Sequence, residues 1–280
     1  MFNWLTIFNL NLILFPILFI FGLIFGSFFN VIVHRFGQKN KSWLKGRSGC
    51  DICQHQIAWY DNIPLFSYVM LQAKCRHCHT KISLVHPVVE FLTGVLFCWA
   101  GLVAVNNGFL AGLSLFIALP FSLTVFSILW LILLFDLKYG IIPDELSFLI
   151  LVLAVLKYVM QLKWLNFTLS SFMFELVLAV GLFLFFLSLR EVPKRLWNKV
   201  GMGWGDIKLI FPLALLLGFP QVLIAVFCAF IIGGVWGIIL LVTNHKKFGQ
   251  TLAFGPFLVI GSLIALTYGT LIWQWYWQLL

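Results

Sequence analysis

Charge is what this sequence has least of. Only 10% of its 280 residues are Asp, Glu, Lys or Arg, and the acids number nine, where a soluble domain carries about 25% charged residues. With 62% hydrophobic residues, 31 Phe and 12 Trp, too little polar surface remains to coat a water-soluble globule. That excludes a soluble enzyme, a disordered chain and a collagen-like fibre. Internal repeats and low-complexity tracts are absent as well. The first apolar run has no basic n-region and no small-residue cleavage site, so it reads as a retained helix and not as a signal peptide.

What is present is a series of about eight apolar runs, near 8–33, 88–106, 109–135, 141–160, 166–189, 206–218, 220–243 and 252–275. Crossing a bilayer takes roughly 20 such residues in a helix, so the fold class is an all-α polytopic membrane protein. The sixth run is short, with only Gly218-Phe219-Pro220 before the seventh, and Pro120 predicts a kink in the third. Three parts are expected: a first helix over 1–33, a polar loop over 34–87, and a seven-helix membrane domain over 88–280.

The net charge of +9 follows from where the basic residues fall. Arg35, Lys39, Lys41, Lys45, Arg47, Lys74, Arg76 and Lys81 lie in the long loop; Lys138, Arg190, Lys194, Arg195, Lys199, Lys208, Lys246 and Lys247 fall on the same side. That side holds 16 of the 18, and only Lys157 and Lys163 lie opposite. By the positive-inside rule the loop is cytoplasmic and both termini face outward. The charge therefore reads as orientation, not as a nucleic-acid surface.

The polar loop, too small for a secure hydrophobic core, carries Cys50-x-x-Cys53 and Cys75-x-x-Cys78. Two such knuckles present four thiolates at tetrahedral spacing, which suits a structural zinc in a ribbon-like loop. Disulfides or unliganded thiols are the alternatives, the former disfavoured in a reducing cytoplasm. His55, His77 and His79 are spare ligands, and Cys98 and Cys228 read as core residues inside apolar helices.

Each of the few acids has an ordinary explanation and a functional one. Asp51 and Asp61 read as solvated, and Glu191 as a surface partner of its basic neighbours. Glu90, one turn after His86-Pro87, is placed to cap a helix start. Glu175 lies mid-helix, where a carboxylate is costly and needs a polar interior; structural and functional roles stay open. Asp136 ends the third run before Tyr139-Gly140-Ile141-Ile142-Pro143-Asp144, and Asp206 follows Gly203-Trp204-Gly205. Both fall at one membrane edge. Two carboxylates meeting there cannot both ionise readily, so one holds a proton while its partner activates water. The alternative is that both cap helix ends.

At these residues the sequence resembles the type IV prepilin peptidases, membrane aspartyl proteases of the GxGD kind. The resemblance rests on Gly26-Ser27-Phe28-Phe29-Asn30-Val31-Ile32-Val33-His34-Arg35, the double CxxC loop, Asn62-Ile63-Pro64, Ile82-Ser83 and His86-Pro87-Val88-Val89-Glu90. It continues through Asp136 with Ile142-Pro143-Asp144, Gly203-x-Gly205-Asp206-x-Lys208-Leu209 and Phe254-Gly255-Pro256-Phe257. It implies an enzyme of the bacterial inner membrane that cleaves the basic leader of prepilins or pseudopilins after a Gly and before a Phe, then N-methylates the new terminus with S-adenosylmethionine. Asp136 and Asp206 become the catalytic pair, with Asp144 a stand-in for Asp136. Glu90 and the cysteine loop belong to the region associated with methyl transfer.

The family commonly has glycine where this chain has Ala73, and proline where it has Asp51. No Rossmann glycine fingerprint marks an independent S-adenosylmethionine site. A peptidase without methyl transfer, an ion-coupled transporter and a non-enzymatic assembly factor are the competing readings.

Overall fold

A computed structural model describes residues 4–36, 48–50, 52–105, 114–164, 168–198, 201–243 and 253–279. Asp51, Lys39, Lys41, Lys45, Arg47, Lys199, Lys246 and Lys247 lie outside the described residues. The chain forms two compact units, Met1–Leu102 and Val103–Leu280.

Unit 1 holds α1 (Trp4–Phe36), a short helix α2 (Phe66–Met70) and most of α3 (Val85–Val105). Helices α1 and α3 approach closely through small residues. A Cβ on Gly22 would sit 2.7 Å from the Gly94 Cα, and one on Gly26 would sit 2.7 Å from the Glu90 Cα. Gly22-Leu23-Ile24-Phe25-Gly26 is the small-xxx-small spacing that lets apolar helices touch backbone to backbone. Asn30 Nδ2 adds a hydrogen bond to the His86 carbonyl at 3.0 Å.

Unit 2 holds α4 (Leu115–Tyr139), α5 (Asp144–Trp164), α6 (Leu169–Trp197), α7 (Trp204–Leu217), α8 (Gln221–Val242) and α9 (Gly255–Leu279). Helix α4 runs unbroken past Pro120, which falls near its start, where fewer intrahelical bonds are at stake. Gly140 ends it in the left-handed region at φ 65°, donating its N–H to the Asp136 carbonyl at 2.9 Å. Helices α8 and α9 pack antiparallel, the start of α8 beside Gly269 and Phe257 beside Gly233.

Among the described residues, seven helices are long and apolar enough to cross a membrane: α1, α3, α4, α5, α6, α8 and α9. The expected eighth crossing is the exception. Helix α7 has 14 residues, about 21 Å of rise, short of a hydrocarbon core of about 30 Å. It ends because Gly218 takes φ 75° and Pro220 follows two residues later. It still alternates in direction with its neighbours, running with α5 (Lys208 beside Asp144, Leu215 beside Lys157) and against α6 (Gly218 beside Glu175).

Lys157, counted on the far side for orientation, is 3% exposed and turned into the bundle against α7. A soluble-loop role for Asp61 is replaced by a bidentate pair with Arg76 at 2.6 and 2.8 Å, and the Arg76 guanidinium beside Asp61 holds its carboxyl below the usual range.

Gly22→Leu drives a side chain into the α3 backbone and should lower unit 1 stability by about 1–3 kcal/mol, read as an earlier thermal transition of the detergent-solubilised protein.

Candidate active site

Three helix ends converge in unit 2. Asp136 lies in the last turn of α4, Asp206 in the first turn of α7, and Gly255 opens α9. Both aspartates are 6% exposed. The Gly255 backbone amide interacts with both carboxylates, and the two carboxylates are close enough to interact with each other. An N–H at a helix start has no intrahelical partner, so it is free to serve an acid.

Local sequence explains each placement. Gly203 is the N-cap of α7 and Asp206 its third residue; the Asp206 carboxylate reaches back to the Gly203 amide, as in a capping box. Capping and convergence are thus not alternatives here, since Asp206 does both. Gly255 must be bare, because a Cβ there would lie 2.3 Å from Asp136 Oδ2. Gly205 likewise packs on Ile142, which a Cβ would meet at 3.1 Å. Asp136 Oδ2 is buried with no hydrogen-bond partner among the described residues.

Asp144 is not part of this group. It is 71% exposed and pairs with Lys208 Nζ at 2.8 Å. Two features that sequence reasoning missed hold the glycine-rich segment before Asp206. Arg190 Nη1 donates to the Met202 carbonyl at 2.7 Å, and its guanidinium stacks 4.7 Å from the Trp204 ring. Its only sequence signal was a basic residue at the membrane edge, indistinguishable from an orientation charge.

In unit 1 the two CxxC segments fold as matching knuckles. Gln54 N–H donates to Cys50 O and Cys50 N–H to His55 O; His79 N–H donates to Cys75 O and Cys75 N–H to Thr80 O. Gln54 and His79, each one past the second cysteine, take φ 56° and 55°. All four Sγ atoms lie within 4.8 Å of one another, Cys50 and Cys78 at 3.7 Å. A tetrahedral zinc with Zn–S of about 2.3 Å puts its sulfurs about 3.8 Å apart, so the donor set fits. The six cysteines are free thiols, not disulfides. The Thr80 hydroxyl and amide lower the pKa of the Cys78 thiol to about 6. His55 and His77 stack on each other, ring centroids 3.5 Å apart, and stand outside the sulfur cluster.

Beside the knuckles is a cavity of about 570 Å³, lined by Asn30, Arg35, Asp61, Asn62, Tyr68 and Glu90 among others. Glu90 is 9% exposed and accepts the Leu65 N–H at 2.9 Å, so it caps α2 from another helix and does not simply cap its own. Ala73 takes φ 59°, a left-handed conformation, while its amide and carbonyl pair with Tyr68 O and the Ile82 N–H.

Comparison with known proteins accounts for both halves. Residues 20–104 match the Bacterial Peptidase A24 N-terminal domain, and residues 123–238 match the Type IV leader peptidase family. A prepilin leader peptidase/N-methyltransferase of Aeromonas hydrophila is 30% identical over 292 residues, covering 94% of this chain and 93% of the relative. Its counterpart in Neisseria gonorrhoeae is 31% identical, with 92% of each chain covered; that of Pseudomonas aeruginosa is 30% identical over 92% of this chain and 91% of the relative. The chain belongs to the type IV leader peptidase family.

No solved structure matches this leader peptidase family member. The N-terminal match takes in the sulfur cluster and Glu90, and the second takes in Asp136 and Asp206 while stopping short of Gly255. As a member of this family with seven helices of spanning length, the chain is a multi-pass membrane protein.

Ala73→Gly removes a Cβ from a left-handed position whose strain is about 1 kcal/mol. The expected result is slower amide exchange at Cys75 and Ile82 by up to about fivefold.

Proposed function

We propose that the protein is an aspartyl endopeptidase that removes the short basic leader of type IV prepilins and pseudopilins. It cleaves a Gly–Phe type bond at the cytoplasmic face of the bacterial inner membrane, then methylates the new amino terminus. The observation that carries the peptidase assignment is the meeting of Asp136 and Asp206 at the Gly255 amide. The names of the relatives, prepilin leader peptidase/N-methyltransferase, supply the substrate class.

In this reading the two acids hold one proton between them. The ionised carboxylate takes a proton from water, whose oxygen attacks the peptide carbonyl carbon. The protonated carboxyl hydrogen-bonds the carbonyl oxygen, and a proton passes to the departing amine as the C–N bond breaks. A prepilin offers a basic leader ahead of an apolar helix, so acids at the membrane edge reach the bond without extracting that helix. Orientation follows the basic residues, which puts the cysteine loop and the acids inside and both termini outside. The working division is a first helix over 1–33, a zinc loop over 34–87 and the protease domain over 88–280.

The four thiolates of Cys50, Cys53, Cys75 and Cys78 are proposed to hold a structural zinc, since a closed four-sulfur site leaves no open position for substrate. For methyl transfer, S-adenosylmethionine supplies an electrophilic methyl group. The unit 1 cavity has the size of a cofactor site, and Glu90, Tyr68 and Asn62 on its wall would bind and orient the cofactor. The left-handed Ala73 keeps its hydrogen bonds, which favours retention of methyl transfer over the peptidase-only alternative.

Asp136→Asn and Asp206→Asn should each lower prepilin cleavage by about 1000-fold or more, scored by leader release in reconstituted membranes, while insertion stays normal. Wild-type cleavage by either variant would remove that residue from the pair. Glu90→Gln, which keeps an acceptor for Leu65, should leave cleavage intact yet yield mature subunits whose terminal Phe lacks the methyl mass.

A further inference from the structure

The far end of α7 meets a cluster that the proposed chemistry leaves unused. Lys157 Nζ donates to the carbonyls of both Leu215 and Leu216 at 2.9 Å. The Tyr158 hydroxyl is shared between the Leu215 carbonyl, at 3.0 Å, and the Glu175 carboxylate. Glu175 in turn lies 3.8 Å from Lys157 Nζ and packs over Gly218. Three side chains from α5 and α6 thus close around the last turn of a third helix.

Such an arrangement answers a physical need. The last carbonyls of a helix have no intrahelical donors, and within a membrane bundle water does not supply them. An ammonium suits the negative end of the helix dipole, and Glu175 balances its charge.

We infer that Lys157, with Tyr158 and Glu175, is a positioning residue for the peptidase reaction: it fixes the axial register of α7, and with it the place of Asp206 against Asp136. This rests on the peptidase reading given above. Helix α5 grips α7 at both ends, through Asp144–Lys208 beside the acids and Lys157 at the opposite end. The first of these pairs is exposed on both partners, 71% and 51%, and holds weakly; the buried one governs. A slip of one residue along α7 moves Asp206 by about 1.5 Å, and a misplacement of about 1 Å can cost about 100-fold in rate.

The test uses the full-length protein in lipid nanodiscs with a prepilin substrate, and a second assay of methyl transfer to already cleaved subunit. Lys157→Met keeps the apolar stem and removes the donors; Tyr158→Phe removes only the hydroxyl and serves if the first variant fails to insert. Both should lower kcat for cleavage by about 10- to 100-fold with KM changed less than about twofold, measured per folded enzyme well below each variant's thermal midpoint, while methyl transfer stays near wild type. Wild-type kcat in either folded variant overturns the inference. So does a loss of cleavage that only tracks the loss of folded protein, because that is what a purely structural cap would give. Wild-type and Asp206→Asn controls judge the peptidase reading separately: if Asp206→Asn cleaves normally, that reading fails whatever Lys157 does.

Discussion

A helix that stops inside a membrane bundle must find partners for its last carbonyls, and much of unit 2 is arranged around that requirement. Helix α7 is 14 residues long, too short to carry its end out to the headgroups. Its start therefore sits among the acids while its end is met by Lys157, Tyr158 and Glu175. The same shortness that would disqualify it as a conventional span allows it to be held from both sides. Charges that would be prohibitive alone in hydrocarbon become admissible because each has a partner.

At the other end the arrangement depends on the absence of side chains. Gly203, Gly205 and Gly255 bring backbone against Asp206, Ile142 and Asp136 at distances a Cβ would obstruct. Helix ends there bring the backbones of Gly203 and Gly255 against two buried acids. Unit 1 uses the same means differently: glycines let α1 and α3 touch, and a side chain of α3, Glu90, secures the start of α2.

Much of this was legible in the sequence because composition and spacing report directly on solvent and on metal geometry. The apolar runs gave the helices, and the paired CxxC segments gave a four-sulfur cluster. Asp136 and Asp206 stood out because so few acids were present. Other features were hidden. Lys157 was read only for orientation, since hydropathy counts a lysine near a helix end the same whether it points out or in. Glu175 had no visible partner because Lys157 and Tyr158 lie on another helix. The sixth apolar run was visibly short, with Gly218-Phe219-Pro220 close behind it, but nothing in Leu215, Leu216 and Leu217 signalled that their carbonyls would be met by side chains of another helix. The Gly255 amide was invisible because backbone groups leave no trace in side-chain identity.

Beyond the last residue of α7, Phe219 stacks edge to face on both Phe174 and Trp273, with ring centroids 5.5 and 5.0 Å away. The turn after the short helix is thus flanked by aromatic rings from α6 and α9. With Phe219 38% and Phe174 54% exposed, these rings lie on the outside of the bundle, so the turn that ends the short helix presents aromatic surface, and not bare backbone, to the surrounding hydrocarbon.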